Sequence, residues 1–537
     1  MPQPLHAPQH DQTWSFLDHN RDEPWDIIIV GGGITGAGIA LACTQQGYNT
    51  LLLEQNDYAS GTSSRTSKMV HGGFRYFAQG DIKLTLQSAK EKEALIKQAP
   101  SLIKRTHFNF LPRKGKFPSA SLALPLLKLY DNFADRKSCK KCSSEELQHK
   151  FPYLQDPKID GGISYEDAIV DDSRLVLRIL AEARSMGLVS LNYVKVGLLN
   201  TTAKKTTGVT ATNIVCGSTI SLNAKMVINA TGVWADRLPK QKSVKIHPVR
   251  GSHIIVSHAR LPLSEAISVV HHSDGRIVFL TPWEGATLIG TTELAHSNKM
   301  EEMPSISASE LMYLLALTNR LFPKISLITD DVISSFSGVR PLSSKASLLS
   351  SNRKKRNHII WQSHGLLSVT GGKLTTFRVI AQDTIKLINK TLGKKSKKAF
   401  KTVFTPPACS AEELIPNNIS LASRLIGQYG DDAITIVGEA REGELKTIAT
   451  TPYTWAEVRW AIRHDSVIKL EDLMLRRTHL GNLLPQGGRK YLREIGQIVV
   501  QERGWTNLEW KQEAKGYLQH WAEKYGIPDQ LDDINKQ

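Results

Sequence analysis

A chain of 537 residues that is 41% apolar and 22% charged can bury a sizeable core, which excludes wholesale disorder. No run reaches the roughly 18 uninterrupted apolar residues of a spanning helix, and the polar N-terminus lacks the apolar centre of a secretory signal. Five cysteines cannot frame a disulfide-built fold and point to a reducing compartment, while 68 Lys and Arg against 51 Asp and Glu leave +17, a surplus suited to nucleic acid, anionic lipid or a phosphorylated small molecule.

In chain order, residues 1–24 are expected to form a polar, loosely structured extension. Residues 26–30 are a β-branched block suited to a strand buried on both faces. A glycine-rich turn at 31–33 opens a helix of small residues that Gly47 closes, and 50–54 read as a second buried strand. Strand, turn, helix and strand form a βαβ unit. A capped amphipathic helix follows from Asp172 towards Gly187. Strands are expected at 226–230, 253–256 and 276–280, the last two in a sheet separate from the first unit. Residues 386–407 are crowded with lysine and end in Pro406 and Pro407, which reads as a basic linker. Residues 408–537 then read as a mainly helical domain, with helices at 455–462 and 470–475. The expected architecture is thus α/β: a Rossmann-type subdomain interleaved with a mixed-sheet subdomain over 25–385, followed by the helical domain.

Gly31, Gly33 and Gly36 form GxGxxG after a strand and at the start of a helix. The first glycine permits the turn, the second admits a pyrophosphate to the backbone, and the third allows close packing, with the phosphates on the positive helix end. Glu54 ends the next strand, 18 residues after Gly36, where a carboxylate accepts from a ribose 2′-hydroxyl and disfavours a 2′-phosphate. Ala230, Thr231 and Gly232 end an apolar strand in the small-residue turn by which many flavoproteins return to the cofactor. Gly371, Gly372, Lys373, Leu374 and Thr375 place a second helix start beside a lysine, suited to the negative charge of a reduced flavin. These elements select FAD.

The glycine turn at 31–40, the TSSRTSKMVHGGFRY run at 62–76, Arg250 to His253, the GTT at 290–292, the SGVRPL at 337–342 and the GGKLTT at 371–376 together resemble FAD-dependent glycerol-3-phosphate dehydrogenase, over most of the chain from about Asp26. The resemblance implies oxidation of sn-glycerol 3-phosphate to dihydroxyacetone phosphate, reduction of FAD, and electron delivery to quinone at a membrane surface. It implies that Arg340 and Arg75 hold the phosphate, with Arg276 a weaker candidate and Thr291 and Lys373 beside them. It implies His253 as the base that takes the alcohol proton and Tyr76 as a substrate contact. His71, followed by Gly72, is a rival that would instead pack near the flavin. Thr62, Ser63, Ser64, Ser67 and Lys68 lie in a small polar loop suited to run along the cofactor. The chain departs from the family pattern at Glu293, where an aspartate is usual, and at Arg250, where a lysine is expected.

Cys139 and Cys142 form a lone CxxC without a second pair, so no metal is expected. The apolar stretch 117–133, collared by Arg113, Lys114, Lys116, Arg136, Lys137, Lys140 and Lys141, has the make-up of an interfacial segment or of a buried helix. The expected setting is cytoplasmic, at the inner face of the membrane, with dimerisation left open. An oxidase that uses oxygen is the near alternative. An FAD-dependent RNA-binding protein is the distant one, and the absence of stacking aromatics among the basic residues argues against nucleic acid.

Overall fold

The computed structural model describes residues 8–72, 82–115, 120–133, 138–238, 245–296, 299–343, 358–395 and 402–528. Two sheets organise them. The first has the order Ile359–Ser363, Leu366–Thr370, Thr219–Asn229, Trp25–Val30, Thr50–Leu53, Val189–Leu191. Its inner pairs are all parallel, with Ile28 opposite both Leu51 and Val227. Such strands need apolar residues on both faces. The glycine helix Ile34–Gln45 and the helices Asp172–Ser185 and Phe377–Leu392 cover one face. A meander of Val194–Thr202, Lys205–Asn213 and the first half of Thr219–Asn229 covers the other. The second sheet is mainly antiparallel and carries the strands Ile246–Ser257, Ile277–Trp283, Ala286–Gly290 and Val332–Ser343.

Three expectations are corrected. The N-terminal extension is a helix, Pro8–His19, not a loose segment. Trp14 and Leu17, one turn apart, enter the core under the meander, and Trp14 Nε1 donates to Ser218 Oγ at 2.8 Å. Only two apolar anchors in a polar run leave little periodicity to detect. The expected basic linker begins as the last turns of the Phe377–Leu392 helix: Lys386 and Lys390 face solvent while Ile385 and Ile388 pack inward, and Gly393, at φ +68°, ends it. Past it, Val403 and Phe404 are buried in the core of the first sheet. The apolar stretch forms the helix Ala120–Phe133, with Ala123 and Leu127 buried against Phe108, Phe110 and Tyr165. Of its collar, Arg113 is no surface cation: it is buried on Asp156 at 2.7 Å. Lys116, Arg136 and Lys137 lie outside the described residues.

The C-terminal region is helical, with Ile419–Tyr429, Trp455–His464, Leu492–Arg503 and Asn507–Tyr525 as its longer helices. It is not a detached appendix. Its core includes Trp283, Leu288 and Phe336 of the second sheet. The helix expected at 470–475 is a short turn, Leu470–Asp472, that widens into a π turn, Leu473–Arg477, bringing Arg476 and Arg477 together into the interior. No helix among the described residues is long and apolar enough to cross a membrane.

Candidate active site

The first βαβ unit opens on a cavity of about 600 Å³ at the carboxyl ends of the parallel strands, where open α/β sheets place their ligands. Gly31, Gly33, Ile34 and Thr35 supply one wall. Gly31 has φ +112°, and a Cβ there would lie 2.6 Å from the Ala230 carbonyl oxygen. Gly36 does not line the cavity; a Cβ on it would strike the Gly31 carbonyl, so it lets the helix start press against the turn. Glu54 accepts from Gly32 N at 2.6 Å and from Asn56 N at 2.9 Å, and burial raises its carboxyl pKa. It lines the cavity beside the glycine turn.

Thr62, Ser63, Ala230, Thr231, Gly232, Gly371, Gly372, Lys373 and Leu374 also line the cavity, as the sequence suggests. Ser63 Oγ accepts from Ile34 N at 3.0 Å, tying the polar loop to the helix start. The two return turns are joined, because Thr370 Oγ1 donates to the Gly232 carbonyl at 2.8 Å. Lys373 precedes the turn Leu374–Thr376, which runs directly into the Phe377–Leu392 helix, so the helix dipole and the lysine act at the same end of the cavity.

Other expected cofactor contacts stand behind this wall. Thr375 is buried and donates to the His71 carbonyl at 3.2 Å; neither it nor His71 nor Gly72 lines the cavity. Ser64 is buried and gives its carbonyl to Lys68. Lys68 itself is a correction. Its ammonium is 1% exposed, bonds Asp172 Oδ1 and the Ser64 carbonyl at 2.6 Å each, and lies 5.0 Å from the Trp283 ring centroid. A buried ammonium needs a carboxylate, and Asp172, from the start of the helix Asp172–Ser185, supplies it; Asp172 also accepts from Thr66 N and Oγ1. Lys68 therefore braces the loop from inside and does not line the cavity.

The second sheet contributes the other group of expected residues. Strand register sets His253 beside Gly290 and Phe336. Its imidazole stacks on the Phe336 ring at 4.9 Å, and a Cβ on Gly290 would collide with it. His253 is 1% exposed, Nε2 lies 3.0 Å from Ser67 Oγ, and Nδ1 has no hydrogen-bond partner among the described residues. Burial, then the positive charges of Arg340 and Lys68, hold its pKa well below the ordinary value of 6.5, so the ring is neutral. Arg340 NH2 donates to Thr291 Oγ1 at 3.2 Å, and Gly251 leaves room for both, since a Cβ there would crowd Thr291 and Arg340. The structure thus brings together His253, Ser67, Arg340 and Thr291 from four distant segments.

Arg276 is differently engaged. It pairs with Asp274 at 3.1 Å, donates to the Glu293 carbonyl and lies 3.8 Å from the Glu293 carboxylate, so its charge is shared between two acids. Arg75 and Tyr76 lie outside the described residues.

One residue absent from the sequence reading organises this wall. Glu310 accepts from Arg250 at 2.7 Å, Ser252 Oγ at 2.9 Å, Thr292 Oγ1 at 2.6 Å and Ser307 N at 3.0 Å. These bonds hold its carboxyl pKa low against burial. Arg250, which stands where a lysine is expected, commits its charge to Glu310. The capping box at Ser307 and Glu310 is legible as a helix start, but its reach to residues 18 and 58 positions away is not. Asn56, Arg237 and Glu301 also line the cavity unforeseen, while Thr66 and Trp234, which line it too, lie in the polar loop and the small-residue turn that the sequence singles out. Among the described residues no group of three or more His, Cys, Asp or Glu side chains is placed to hold a metal ion.

Comparison with known proteins shows the family. Residues 26–378 match the model of FAD-dependent oxidoreductases, more than half of the chain. The chain belongs to that family. Residues 402–509 match the C-terminal domain of alpha-glycerophosphate oxidase. An aerobic glycerol-3-phosphate dehydrogenase of Staphylococcus haemolyticus is 29% identical over 488 residues, covering 85% of this chain and 87% of the relative. The structure of a glycerol-3-phosphate dehydrogenase from Bacillus halodurans with FAD superposes with a TM-score of 0.79 at 26% identity, covering 97% of this chain and 98% of that one. L-alpha-glycerophosphate oxidase from Mycoplasma pneumoniae shares the fold, with a TM-score of 0.56 at 20% identity over 71% of this chain and 98% of that one. FAD, the family cofactor, fits the residues present: a glycine turn closed to any Cβ, a carboxylate at the ribose position, and a lysine at a helix start for the flavin end.

Proposed function

We propose that this flavoenzyme oxidises sn-glycerol 3-phosphate to dihydroxyacetone phosphate and delivers the electrons to a membrane quinone. The observation that carries the reading is the meeting of a guanidinium, Arg340, with a neutral buried imidazole, His253, across adjacent strands of the second sheet. The substrate needs both: a fixed cation for its phosphate and a proton acceptor for its C2 hydroxyl. Similarity to named glycerol-3-phosphate dehydrogenases over most of both chains supports the same substrate.

FAD, when bound, would supply the two-electron acceptor for the hydride from C2. The chain does the rest. Arg340, held on Thr291 Oγ1, binds the phosphate, and Arg75 is proposed as its partner cation. His253 takes the hydroxyl proton, so that the C2–H electron pair leaves as the C2–O double bond forms. A neutral ring with Nε2 engaged to Ser67 and Nδ1 open among the described residues has capacity for one proton. Burial, then Arg340 and Lys68, keep it from being protonated beforehand. Tyr76 is proposed to hydrogen-bond the substrate, and Lys373 to offset negative charge at the flavin end. Arg276, already shared between Asp274 and Glu293, is proposed only to set the outer rim.

Anaerobic mixing with glycerol 3-phosphate tests the reading. Bleaching of the flavin band by this substrate and not by glycerol is expected; an unbleached flavin would sink the substrate assignment. Oxygen is the second reading for the acceptor, because the C-terminal domain and one structural neighbour carry the oxidase name. Stoichiometric peroxide in air, without turnover by a quinone analogue, would favour it. The proposed setting is peripheral contact with the anionic inner face of the cytoplasmic membrane. Failure of the enzyme to sediment with anionic vesicles at low salt would count against that setting.

A further inference from the structure

We infer that the C-terminal domain sets the affinity for FAD: Arg476 and Arg477 clamp Asp57 and thereby fix the loop that grips the phosphate-binding glycine turn. Asp57 is fully buried, three residues beyond Glu54. Its Oδ2 accepts from Arg476 Nε and Arg477 NH1, and its Oδ1 accepts from Arg477 NH2 at 2.8 Å and from Asn192 Nδ2 at 3.1 Å. Both arginines come from more than 400 residues away and are themselves at most 1% exposed. Every lone-pair direction of this carboxylate is committed to the C-terminal domain or to the neighbouring strand.

The loop it anchors holds the glycine turn from two sides. Upstream of Asp57, Glu54 accepts from Gly32 N; downstream, Ala59 N donates to the Gly32 carbonyl at 3.1 Å. Gly32 is thus gripped through both its backbone groups by residues that flank Asp57. The Tyr58 ring fills the remaining space, since a Cβ on Gly32 would lie 2.8 Å from it. The amides of this turn are the ones that meet a pyrophosphate. Asp57 is accordingly a positioning residue, acting through Glu54 and the turn without touching the cofactor.

Cohesion between the domains does not require this arrangement. The apolar core they share through Trp283, Leu288 and Phe336 already holds them, and a buried ion cluster is a weak source of stability. What buried charges contribute is register: guanidinium forks accept a carboxylate in few orientations. Asp472, which accepts from Arg476 NH2 at 2.6 Å, fixes Arg476 in turn.

The rate of flavin release from the diluted holoenzyme, followed by flavin fluorescence, tests the inference without relying on the substrate assignment. Asp57→Asn keeps the shape and removes the charge; Arg477→Lys keeps the charge and removes the fork. Losing one charge-assisted bond predicts release faster by about tenfold or more in both. Arg459→Met is the control: Arg459 is buried among Glu444 and Glu502 wholly within the C-terminal domain. It is expected to lower Tm while leaving flavin release unchanged. Should Asp57→Asn fail to fold, Arg477→Lys decides alone. Wild-type release rates in the variants that fold, or an equal acceleration in Arg459→Met, would overturn the inference.

Discussion

The cofactor cradle and the proposed substrate wall are built by opposite means. The cradle is contiguous and made of backbone: a strand, a glycine turn and a helix start within residues 25–36, closed by Glu54. Its specificity lies in the absence of side chains. The wall is made of side chains gathered from positions 67, 253, 291 and 340 and held in place by buried acids, Glu310 and Asp172. In the cradle a substitution adds an atom where none fits. In the wall it removes a charge or a proton site from a scaffold that otherwise stands.

The largest effects should therefore come from the cradle. Gly36→Val places carbon against the Gly31 carbonyl and the Ala230 methyl, so the helix start must move away from the turn. The expected product folds without retaining FAD and purifies colourless. A yellow Gly36→Val protein with the wild-type flavin ratio would break the contrast. In the wall, His253→Gln should keep the flavin and lose the chemistry. Removing a general base costs about 10²–10⁴ in rate, to be read in the anaerobic rate of flavin reduction. If flavin content fell and the rate per flavin did not, His253 would belong to the cradle.

That contrast also explains what was legible beforehand. Gly31, Gly33, Gly36 and Glu54 announce themselves because the ligand is bound by local backbone, and local backbone geometry is written in short spacings. Ala230 to Gly232 and Gly371 to Leu374 follow the same logic and line the cavity. Lys68 misleads for the converse reason. A lysine in a polar loop beside a phosphate site suits the ligand, yet its partner Asp172 lies 104 residues on, and only the fold joins them. Arg250 and Glu310 are 60 residues apart and equally silent. The N-terminal helix escapes notice because two buried residues, Trp14 and Leu17, suffice to seat it on a surface the meander provides.

Glu310 sharpens the comparison at intermediate size. It touches the backs of Ser252 and Thr292, neighbours of His253 and Thr291, and no part of the cavity. Glu310→Gln keeps the shape but turns an acceptor into a donor facing Arg250. The expected cost is about 1–3 kcal/mol of stability, together with a fall of about tenfold in kcat/KM that conservative Glu310→Asp partly restores. Flavin content should not change. If it did, Glu310 would support the cradle as well as the wall.

The smallest effect is the pH response, and it tests whether the wall's charges act as a unit. His253 works as a base only while neutral. Burial, Arg340 and Lys68 hold its pKa well below 6.5, so flavin reduction should stay level as pH falls through 6.5 and decline only well below it. Stability has its own sign. Between the two pKa values the unfolded chain binds a proton that the folded chain refuses, so stability is lost as pH falls below about 6.5 and is unaffected above it. Arg340→Gln separates the causes. It removes one of the two repulsions and leaves the burial, so the acid limb of the residual reduction rate should move upward in pH while remaining below the ordinary histidine value. An unmoved limb would mean that burial alone sets the titration, and that Arg340 serves the phosphate without tuning the base.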